Sequence, residues 1–531
     1  MAIKSHQPKQ ENGFFGVKIR WILIGLLLIM PALTAWLLPR LLFGASLLNY
    51  VPTLTDEIDY WHEIATFSHV GFEGGYYTVE EKPAAAAFTR FGAHGPAFPM
   101  LYGVFGRLVG WQVYSGPIFN IVVVTIAMVI FIGLTKPEKK RLIITILFLF
   151  SFWPLHFFLS TTMMESVNHG IAIMLAGMFY LLLYKQGQVG GKYRFLVGLF
   201  IFFASILRFT WIFLLIPFFL LSDRPKQFWQ YVFSVAKAFV LAVVSFLAWR
   251  YLAAVYEANF ITELINTLGQ SWIKAGQLLV SHSINNLEKL ILFEKGYAIE
   301  VLQRYQLVAM MVVLAVAGAI GVRMRRDPAN SEKRGTTGPQ DEILFHFLNV
   351  GLILGVQIIF YDVFEWRDYR VMSAHLLLSV LLMIASLRYT LFVKALVASN
   401  LIFTFAFISA FKDIHADSYL YNAQNLEEFR LVTNEFLVYN SQQNPWCNTI
   451  LTTTLPYQII MVPPGIGISH LFRDPKFMTF PLKSKYLFIE SAMLQENSED
   501  FKQVRDQLKN IQLLASTAQG NLYLNLDSQC N

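Results

Sequence analysis

Long apolar stretches recur along the chain and alternate with shorter polar segments. Most of them contain about 20 residues, roughly the length at which an α-helix crosses a bilayer core of about 30 Å. One apolar stretch, residues 195–221, contains Arg208 near its middle, so it predicts two short helices that meet at this residue. The pattern predicts an α-helical, multi-pass membrane protein with about 11 transmembrane helices. The other predicted spans lie near residues 21–42, 115–134, 142–159, 167–184, 231–253, 307–322, 343–360, 371–387 and 391–410.

Two longer polar segments interrupt this pattern, and each predicts a structured region outside the membrane. The first, residues 50–114, follows the first span and is rich in acidic residues near its start. The second, residues 411–531, alternates strand-like runs with an amphipathic helix near residues 497–511. We therefore divide the chain into a transmembrane domain, residues 1–410, with a large first loop, and a small α/β domain, residues 411–531. The strand-like runs of the tail are Thr449–Thr454, Tyr486–Glu490 and Asn521–Leu526.

The composition agrees with this division and excludes other classes of protein. Of the 531 residues, 55% are hydrophobic and 15% are charged, whereas soluble domains carry about 25% charged residues. A soluble enzyme, a fibrous protein and a disordered chain are therefore excluded. No basic stretch with interleaved aromatic residues accompanies the net charge of +7, so we expect membrane lipids and no nucleic acid among the partners.

Basic residues mark one side of the membrane. Lys and Arg are concentrated in the N-terminal segment and in the loops 136–141, 185–194, 224–226 and 323–334, which alternate with acidic or neutral loops. Because Lys and Arg accumulate in cytoplasmic loops, the N-terminus is predicted to be cytoplasmic and the C-terminal domain extracytoplasmic. The expected location is the plasma membrane or the bacterial inner membrane.

The two cysteines of the chain, Cys447 and Cys530, both lie in the C-terminal tail. The predicted topology places this tail in an extracytoplasmic, oxidising compartment. Disulfides form and persist in such compartments. We therefore expect the two cysteines to be paired.

The first loop opens with the most strongly acidic segment of the chain. Thr55 is a plausible N-cap residue, followed by Asp56 and Glu57 in the first turn of a predicted helix. Asp56, Asp59 and Glu63 then share one face of that helix. Acidic residues in a first turn also stabilise a helix through its dipole, so a catalytic and a purely structural interpretation are both open for Asp56 and Glu57.

The rest of this loop is rich in glycine, proline and aromatic residues. It contains Gly74-Gly75-Tyr76-Tyr77, Lys82 and His94-Gly95-Pro96. Irregular backbone close to a membrane lines a cavity or is buried in protein, so a shaped pocket is expected here. The sequence contains no nucleophile elbow, no P-loop and no His or Cys spacing typical of zinc sites, which excludes several common chemistries.

Taken in order, these features resemble the GT-C superfamily of polyprenyl-phosphate-dependent glycosyltransferases, which includes protein O-mannosyltransferases and lipid A aminoarabinose transferases. The resemblance covers roughly residues 21–220, with further support from residue 370 onward. It rests on the first span, the loop that opens with Asp56-Glu57, the Gly-aromatic stretch and His94-Gly95-Pro96. Three further elements are similar, although the third has the order Tyr-Arg where the family has Arg-Tyr. They are Met163-Met164-Glu165, Leu207-Arg208-Phe209-Thr210-Trp211 and Asp368-Tyr369-Arg370.

The resemblance implies a reaction and a set of residues for it. The donor would be a sugar on a polyprenyl phosphate or diphosphate, and the acceptor a glycan, lipid or protein on the extracytoplasmic side. Asp56 would act as general base in an inverting transfer, with Glu57 and Glu165 as further acidic candidates. The donor phosphate would be bound by basic groups, for which the candidates are Lys82, His94, Arg208 and Arg370.

Several alternatives stay open at this point. Glu165 and His94 could serve only local structure, and Arg208 and Arg370 could be interfacial anchors. Asp56 and Glu165 could hold a divalent cation through oxygen ligands, although several members of the superfamily work without a metal. A secondary transporter and a ligase or polymerase of cell-surface glycans are the alternative functions. A transporter would require paired ionisable groups at mid-membrane depth, which the sequence largely lacks.

Overall fold

The computed structural model describes residues 14–74, 78–79, 91, 95–185, 189–252, 259–291, 297–325, 339–360, 366–453, 457–470, 482–491, 493, 508 and 510–530. Helices dominate these residues, and a small sheet lies toward the C-terminus, so the predicted fold class is confirmed. The helices are α1 (Phe14–Phe43), α2 (Thr55–Val70), α3 (Ala97–Val109), α4 (Ser115–Thr135), α5 (Lys139–Ser151), α6 (Trp153–Leu159), α7 (Glu165–Tyr184), α8 (Gly191–Leu207), α9 (Leu215–Asp223), α10 (Phe228–Leu252), α11 (Asn259–Gln270), α12 (Trp272–Ile291), α13 (Ala298–Arg325), α14 (Pro339–His346), α15 (Leu352–Phe360), α16 (Trp366–Ser386), α17 (Thr390–Ile402), α18 (Thr404–Tyr419) and α19 (Ala423–Phe436).

The predicted apolar spans all fall in helices. Six helices of the described residues are long and apolar enough to cross a membrane, and the bent pairs α5–α6 and α17–α18 raise the number to eight. This is fewer than the expected 11 or so, because part of the apolar sequence forms shorter helices such as α16. The predicted division at Arg208 is confirmed, since α8 ends at Leu207 and a 3₁₀-helical segment, Phe209–Leu214, leads into α9.

Helix α7 lies at the centre of the bundle and packs against α4 and α16. It is apolar on most sides, and 83% of its apolar stretch is buried inside the protein, against 17% for the peripheral α10. A helix that is hydrophobic all round is typically buried. Gly170 and Gly177 allow α4 to approach closely, because a Cβ at Gly177 would lie 3.3 Å from the Cα of Phe131.

The C-terminal region contains a six-stranded mixed sheet. The strand order is β1-β3-β2-β4-β6-β5. The neighbours from β1 to β4 pair in parallel, and β6 pairs antiparallel with both β4 and β5. Strand β1 comes from the first loop, so that loop and the tail form one sheet. The strands are β1 (Thr78–Val79), β2 (Thr449–Thr452), β3 (Gly467–His470), β4 (Tyr486–Glu490), β5 (Ile511–Ser516) and β6 (Gly520–Asn525).

The three predicted strand runs of the tail correspond to β2, β4 and β6. Strands β1, β3 and β5 were not predicted. The amphipathic helix expected near residues 497–511 lies largely outside the described residues, and Ile511 at its end begins β5. The tail also begins with helix, because α18 continues to Tyr419 and α19 follows it.

The predicted pairing of Cys447 and Cys530 is confirmed. The two residues form a disulfide with a Cα–Cα distance of 4.8 Å, inside the usual range for such bonds. Cys447 lies in the short 3₁₀-helix Pro445–Asn448 that precedes β2, and Cys530 follows β6. The bond therefore ties the chain end to the start of the central strand.

Removing this bond is expected to destabilise the sheet. Cys530→Ser should lower the free energy of unfolding of the C-terminal domain by about 4 kcal/mol, because the disulfide closes a long loop in the unfolded chain. Protease susceptibility in increasing urea measures this change. The double variant Cys447→Ser/Cys530→Ser is the control and should match the single variant. Alkylation of both thiols in non-reduced wild-type protein would contradict the pairing.

Candidate active site

Four ionisable side chains meet at one end of the helical bundle. Asp56 lies in the first turn of α2, Glu165 begins α7, Arg208 directly follows α8, and Arg370 lies in the first turns of α16. These are four of the residues for which the sequence predicted a role. Their segments are far apart in the chain, and each contributes one charge near a helix end.

The four side chains form a row of alternating charge. Arg370 Nη2 lies 2.6 Å from Asp56 Oδ2, and Arg370 Nε lies 3.5 Å from Glu165 Oε1. Arg208 Nη2 lies 2.6 Å from the same Glu165 oxygen. Glu165 is the most buried member, with its side chain 1% exposed, and from there the exposed fraction increases through Arg370 at 22% to Asp56 at 34%. Asp56 is therefore the carboxylate of this row that solvent and a substrate can reach.

Glu165 acts as the shared counter-ion of two guanidinium groups. Its side chain is buried, and the partners Arg208 and Arg370 are only 10% and 22% exposed. Buried cations are tolerated when a charged partner compensates them, and removal of such a partner is strongly destabilising. The position of Glu165 at the start of a helix also suits a negative charge.

The second amino group of Arg208 is a donor without a partner. Its Nη1 atom is buried and makes no hydrogen bond to the residues that the structure describes. A buried donor left unpaired costs about 1–3 kcal/mol. One N–H edge of the guanidinium is therefore buried with no partner among the described residues.

The N-cap residue of α2 differs from the one predicted from the sequence. The helix begins at Thr55 and Leu54 is the N-cap residue, so the prediction of Thr55 as N-cap is wrong by one residue. The carboxylate of Glu57, the third residue of the helix, accepts hydrogen bonds from the backbone N–H groups of Thr53 at 3.3 Å and Leu54 at 3.5 Å. An acidic residue at this position satisfies donors that the helix itself cannot.

Glu57 is fully buried and makes contacts separate from the charged row. Besides the two backbone donors, its carboxylate accepts hydrogen bonds from the Tyr50 hydroxyl and from the backbone N–H of Thr162. Burial raises the pKa of Glu57 to about 7, and these donors oppose the rise. Its contacts are those of a residue that holds the start of α2 against the turn between α6 and α7.

The apolar face of α2 packs inside the protein. Ile58, Trp61 and Ala65 share this face, and they are 0%, 7% and 2% exposed. Helix α3 covers part of α2, and Trp61 Nε1 donates to the carbonyl of Val113 at 3.2 Å. Trp111 Nε1 in turn donates to the carbonyl of Trp61. Trp61 and Trp111 are therefore part of the protein interior.

Another face of α2 contacts the C-terminal domain. Thr66 Oγ1 accepts a hydrogen bond from the backbone N–H of Gly465 at 3.2 Å. One turn earlier, His62 is 1% exposed, and the backbone carbonyls of Val462 and Pro463 lie beside its ring. Burial lowers the pKa of His62 to about 4. The helix that carries Asp56 thus buries a neutral imidazole against the domain, and neither ring nitrogen makes a hydrogen bond to the residues that the structure describes.

A small cavity of about 40 Å³ adjoins Arg370. Its walls are mainly aromatic and aliphatic, contributed by α6 and α18, and its polar groups come from the start of α13. The members of this lining are distributed over four helices, so no local pattern in the sequence predicts it. The lining includes Trp153, Phe157, Phe158, Phe407, Glu300 and Gln303.

Two predicted site residues, Lys82 and His94, lie outside the described residues. Among the residues that the structure describes, no group of three or more His, Cys, Asp or Glu side chains is arranged to hold a metal ion. A divalent cation between Asp56 and Glu165 would meet the guanidinium of Arg370, which contacts both carboxylates. This pair, as it is arranged, does not fit a cation site.

Comparison with known proteins finds similar solved structures. No family model and no curated protein matches the sequence. Solved structures of an ArnT protein and of an archaeal oligosaccharyltransferase are similar to this chain over most of its length.

Two of these structures are ArnT from Cupriavidus metallidurans bound to undecaprenyl phosphate and the oligosaccharyltransferase of Archaeoglobus fulgidus in complex with zinc and sulfate. The first is 10% identical, with a TM-score of 0.42, and the match covers 96% of this chain and 99% of ArnT. The second is 12% identical, with a TM-score of 0.47, and the match covers 94% of this chain and 73% of the other.

The docking of α2 through His62 predicts a dependence of stability on pH. The folded state binds this proton only near pH 4, whereas the unfolded state binds it near pH 6.5. Stability from this group is therefore complete above about pH 6.5 and is lost as the pH falls toward 4, by up to about 3 kcal/mol. His62→Gln should remove this part of the dependence.

The measurement compares the urea midpoint of wild type and His62→Gln at pH 7 and pH 5. His69→Gln is the matched control, because His69 lies on the same helix with an exposed side chain. The wild type and the control should lose stability at pH 5 to the same extent, and His62→Gln should lose less. Equal losses in all three proteins would contradict the proposed cause.

Proposed function

We propose that this protein is an integral-membrane glycosyltransferase that moves a sugar from a polyprenyl phosphate, or diphosphate, to an acceptor on the extracytoplasmic side. Asp56 is its general base, and the transfer inverts the anomeric centre. The observation that carries the proposal is a partly exposed carboxylate bound to Arg370, which also borders an apolar cavity and lies beside a second arginine. This combination supplies a base, an anion site and an apolar surface in one place.

The charges fit the reaction step by step. An acceptor hydroxyl becomes a good nucleophile when a positioned carboxylate takes its proton as the bond to the anomeric carbon forms. The bond from that carbon to the donor phosphate breaks, and the phosphate leaves as an anion. Cations fixed in advance beside the departing oxygen stabilise this charge. Arg370 and the unpartnered edge of Arg208 are the groups suited to that task.

The ion pair between Asp56 and Arg370 links donor binding to proton transfer. A guanidinium at 2.6 Å stabilises the ionised carboxylate and so weakens it as a base. A donor phosphate that binds Arg370 competes with Asp56 for the same N–H groups. As the pair loosens, Asp56 becomes a stronger base, and it does so only when a donor is present.

The apolar cavity beside Arg370 suits a lipid-linked donor. Its aromatic side chains Trp153, Phe157 and Phe407 adjoin the guanidinium that would bind the phosphate. At about 40 Å³ the cavity is far too small to enclose a polyprenyl chain, so the donor's lipid would contact the aromatic wall rather than fill the cavity.

The path of the helices supports the extracytoplasmic side. A basic loop that includes Lys139 and Lys140 follows α4, and α5 and α6 then lead from that loop to Glu165. The charged row therefore lies at the opposite end of the bundle from a loop that the positive-inside rule assigns to the cytoplasm. Its members also lie near helix ends, which favours a reaction at the membrane surface over transport.

Replacement of the base tests the proposal directly. Asp56→Asn should lower kcat by about 10²–10⁴, because the amide keeps the shape of the side chain but cannot take the proton. Asp56→Glu should retain a trace of activity, since proton transfer depends steeply on placement. The measurement is sugar transfer from a polyprenyl-phosphate sugar by purified protein, together with binding of polyprenyl phosphate.

Asp413→Asn, an exposed carboxylate on α18, is the matched control and should be fully active. Binding of polyprenyl phosphate should persist in Asp56→Asn. Near wild-type turnover in folded Asp56→Asn would place the base elsewhere, with Glu57 and Glu165 the next candidates. Failure of this variant to fold would favour the structural interpretation of Asp56.

Loss of a phosphate-binding arginine should affect the donor. Arg208→Ala is expected to weaken binding of polyprenyl phosphate by about tenfold or more, because it removes charge-assisted hydrogen bonds to the anion. Glu165 keeps Arg370 as partner in this variant, so the bundle should remain folded. Arg430→Ala, which removes an exposed arginine paired with Glu427, is the matched control. Equal affinity in Arg208→Ala and wild type would remove Arg208 from the site.

A further inference from the structure

Arg208 lies where the backbone leaves its helix. Its φ and ψ of −145° and 118° are extended, and the next six residues form the 3₁₀-helical segment Phe209–Leu214. A 3₁₀ segment has poorer hydrogen-bond geometry than an α-helix. The position of the Arg208 backbone therefore depends on what holds this segment to its neighbours.

Two residues of the segment are held by buried polar side chains. Trp211 Nε1 donates to Asn168 Oδ1 at 2.7 Å, and Thr210 Oγ1 lies 3.1 Å from His375 Nε2. Asn168 belongs to α7, one turn after the residue that binds Arg208, and His375 belongs to α16. The segment is thus attached to both helices that carry the other buried charges of the site.

The hydrogen-bond pattern assigns the proton of His375. Asn349, in the π-helical segment Phe347–Gly351, uses its amide N–H groups on the carbonyl of His375 and on Ser379 Oγ, both at 2.8 Å. Its Oδ1 atom therefore accepts from His375 Nδ1, also at 2.8 Å. In a neutral imidazole the other nitrogen is then an acceptor, so the Thr210 hydroxyl donates to His375 Nε2.

The imidazole is enclosed on its remaining sides. His375 is 1% exposed, and the ring of Trp211 lies over it with a centroid distance of 4.3 Å. Without the Thr210 hydroxyl, Nε2 would be a buried acceptor with no partner. Because an unpaired buried acceptor is unfavourable, the segment would then shift, and the Arg208 side chain would shift with it.

We propose that Thr210, held by the His375–Asn349 pair, is a positioning residue that sets Arg208 for the donor phosphate. This inference rests on the proposed function. Thr210 does not itself bind substrate: it acts through the backbone of the segment, two residues from the guanidinium. The π-helical turn that presents Asn349 to His375 belongs to the same chain of contacts. Such turns are frequent at functional sites.

Paired substitutions at Thr210 test the proposal. Thr210→Val keeps the shape but lacks the hydroxyl, and it should weaken binding of a polyprenyl monophosphate about tenfold. Thr210→Ser keeps the hydroxyl and should stay within about twofold to threefold of wild type. Turnover at saturating donor should fall less than affinity, because Asp56 is untouched. Thr145→Val, which removes a buried hydroxyl bonded within α5, is the matched control and should bind as wild type.

A double-mutant cycle separates positioning from general destabilisation. In the Arg208→Ala background, Thr210→Val should cause little further loss of polyprenyl phosphate affinity, because the group that it positions is absent. A full additional loss in that background would overturn the proposal, as would wild-type affinity of Thr210→Val alone. If Thr210→Val does not fold, Trp211→Phe, which removes the N–H bond to Asn168, replaces it in the cycle with the same expectation.

The outcomes also separate this inference from the proposed function. Unchanged affinity in Arg208→Ala would remove Arg208 from the site and would overturn the positioning role of Thr210, whereas the proposed transfer reaction is tested separately by Asp56→Asn. Weakened binding in Arg208→Ala together with wild-type binding in Thr210→Val and Trp211→Phe would overturn the positioning role alone.

Discussion

One buried carboxylate determines how the candidate site is assembled. Glu165 begins the central helix α7 and contacts the guanidinium groups of both Arg208 and Arg370. Two neighbouring cations in a poorly hydrated place repel each other strongly, and an ionised carboxylate between them offsets this repulsion. The end of α8 and the start of α16 can therefore lie together only at the first residue of α7.

The rest of the site follows from that constraint. Arg370 is fixed on one side by Glu165, which leaves its outer N–H groups for Asp56 and for the cavity. The two carboxylates of the row differ in depth. Glu165 is 1% exposed and lies between the two guanidinium groups, whereas Asp56 is 34% exposed and contacts only the outer one.

Local sequence signals predicted the features that depend on local physics. Hydropathy located the helices, and the charge of Arg208 located the break between α8 and α9. Alternating strand-like residues located β2, β4 and β6. The identities of Asp56, Glu165, Arg208 and Arg370 as candidates came from motifs, and the structure places these four together.

Other features depend on contacts that no local pattern contains. Asp56 and Arg370 are 314 residues apart in the chain. Glu57 and Thr162, which are also in contact, are 105 residues apart. From the sequence alone, the structural role of Glu57 could not be distinguished from an interaction with the helix dipole. The apolar face around Trp61 could not be assigned to a lipid or a protein contact from the sequence, because lipid and protein interiors favour the same residues.

The pairing of β1 with β3 has a consequence for how the protein is made. Thr78, in the first loop, pairs with Ser469, about 390 residues later. At about 5–20 residues per second, synthesis of the intervening chain takes roughly 20–80 s. During that interval the first loop has already crossed the membrane in the proposed topology, and its strand has no partner. During synthesis there is therefore an interval in which an open strand edge can pair with other chains. Chaperones could protect the edge during this interval.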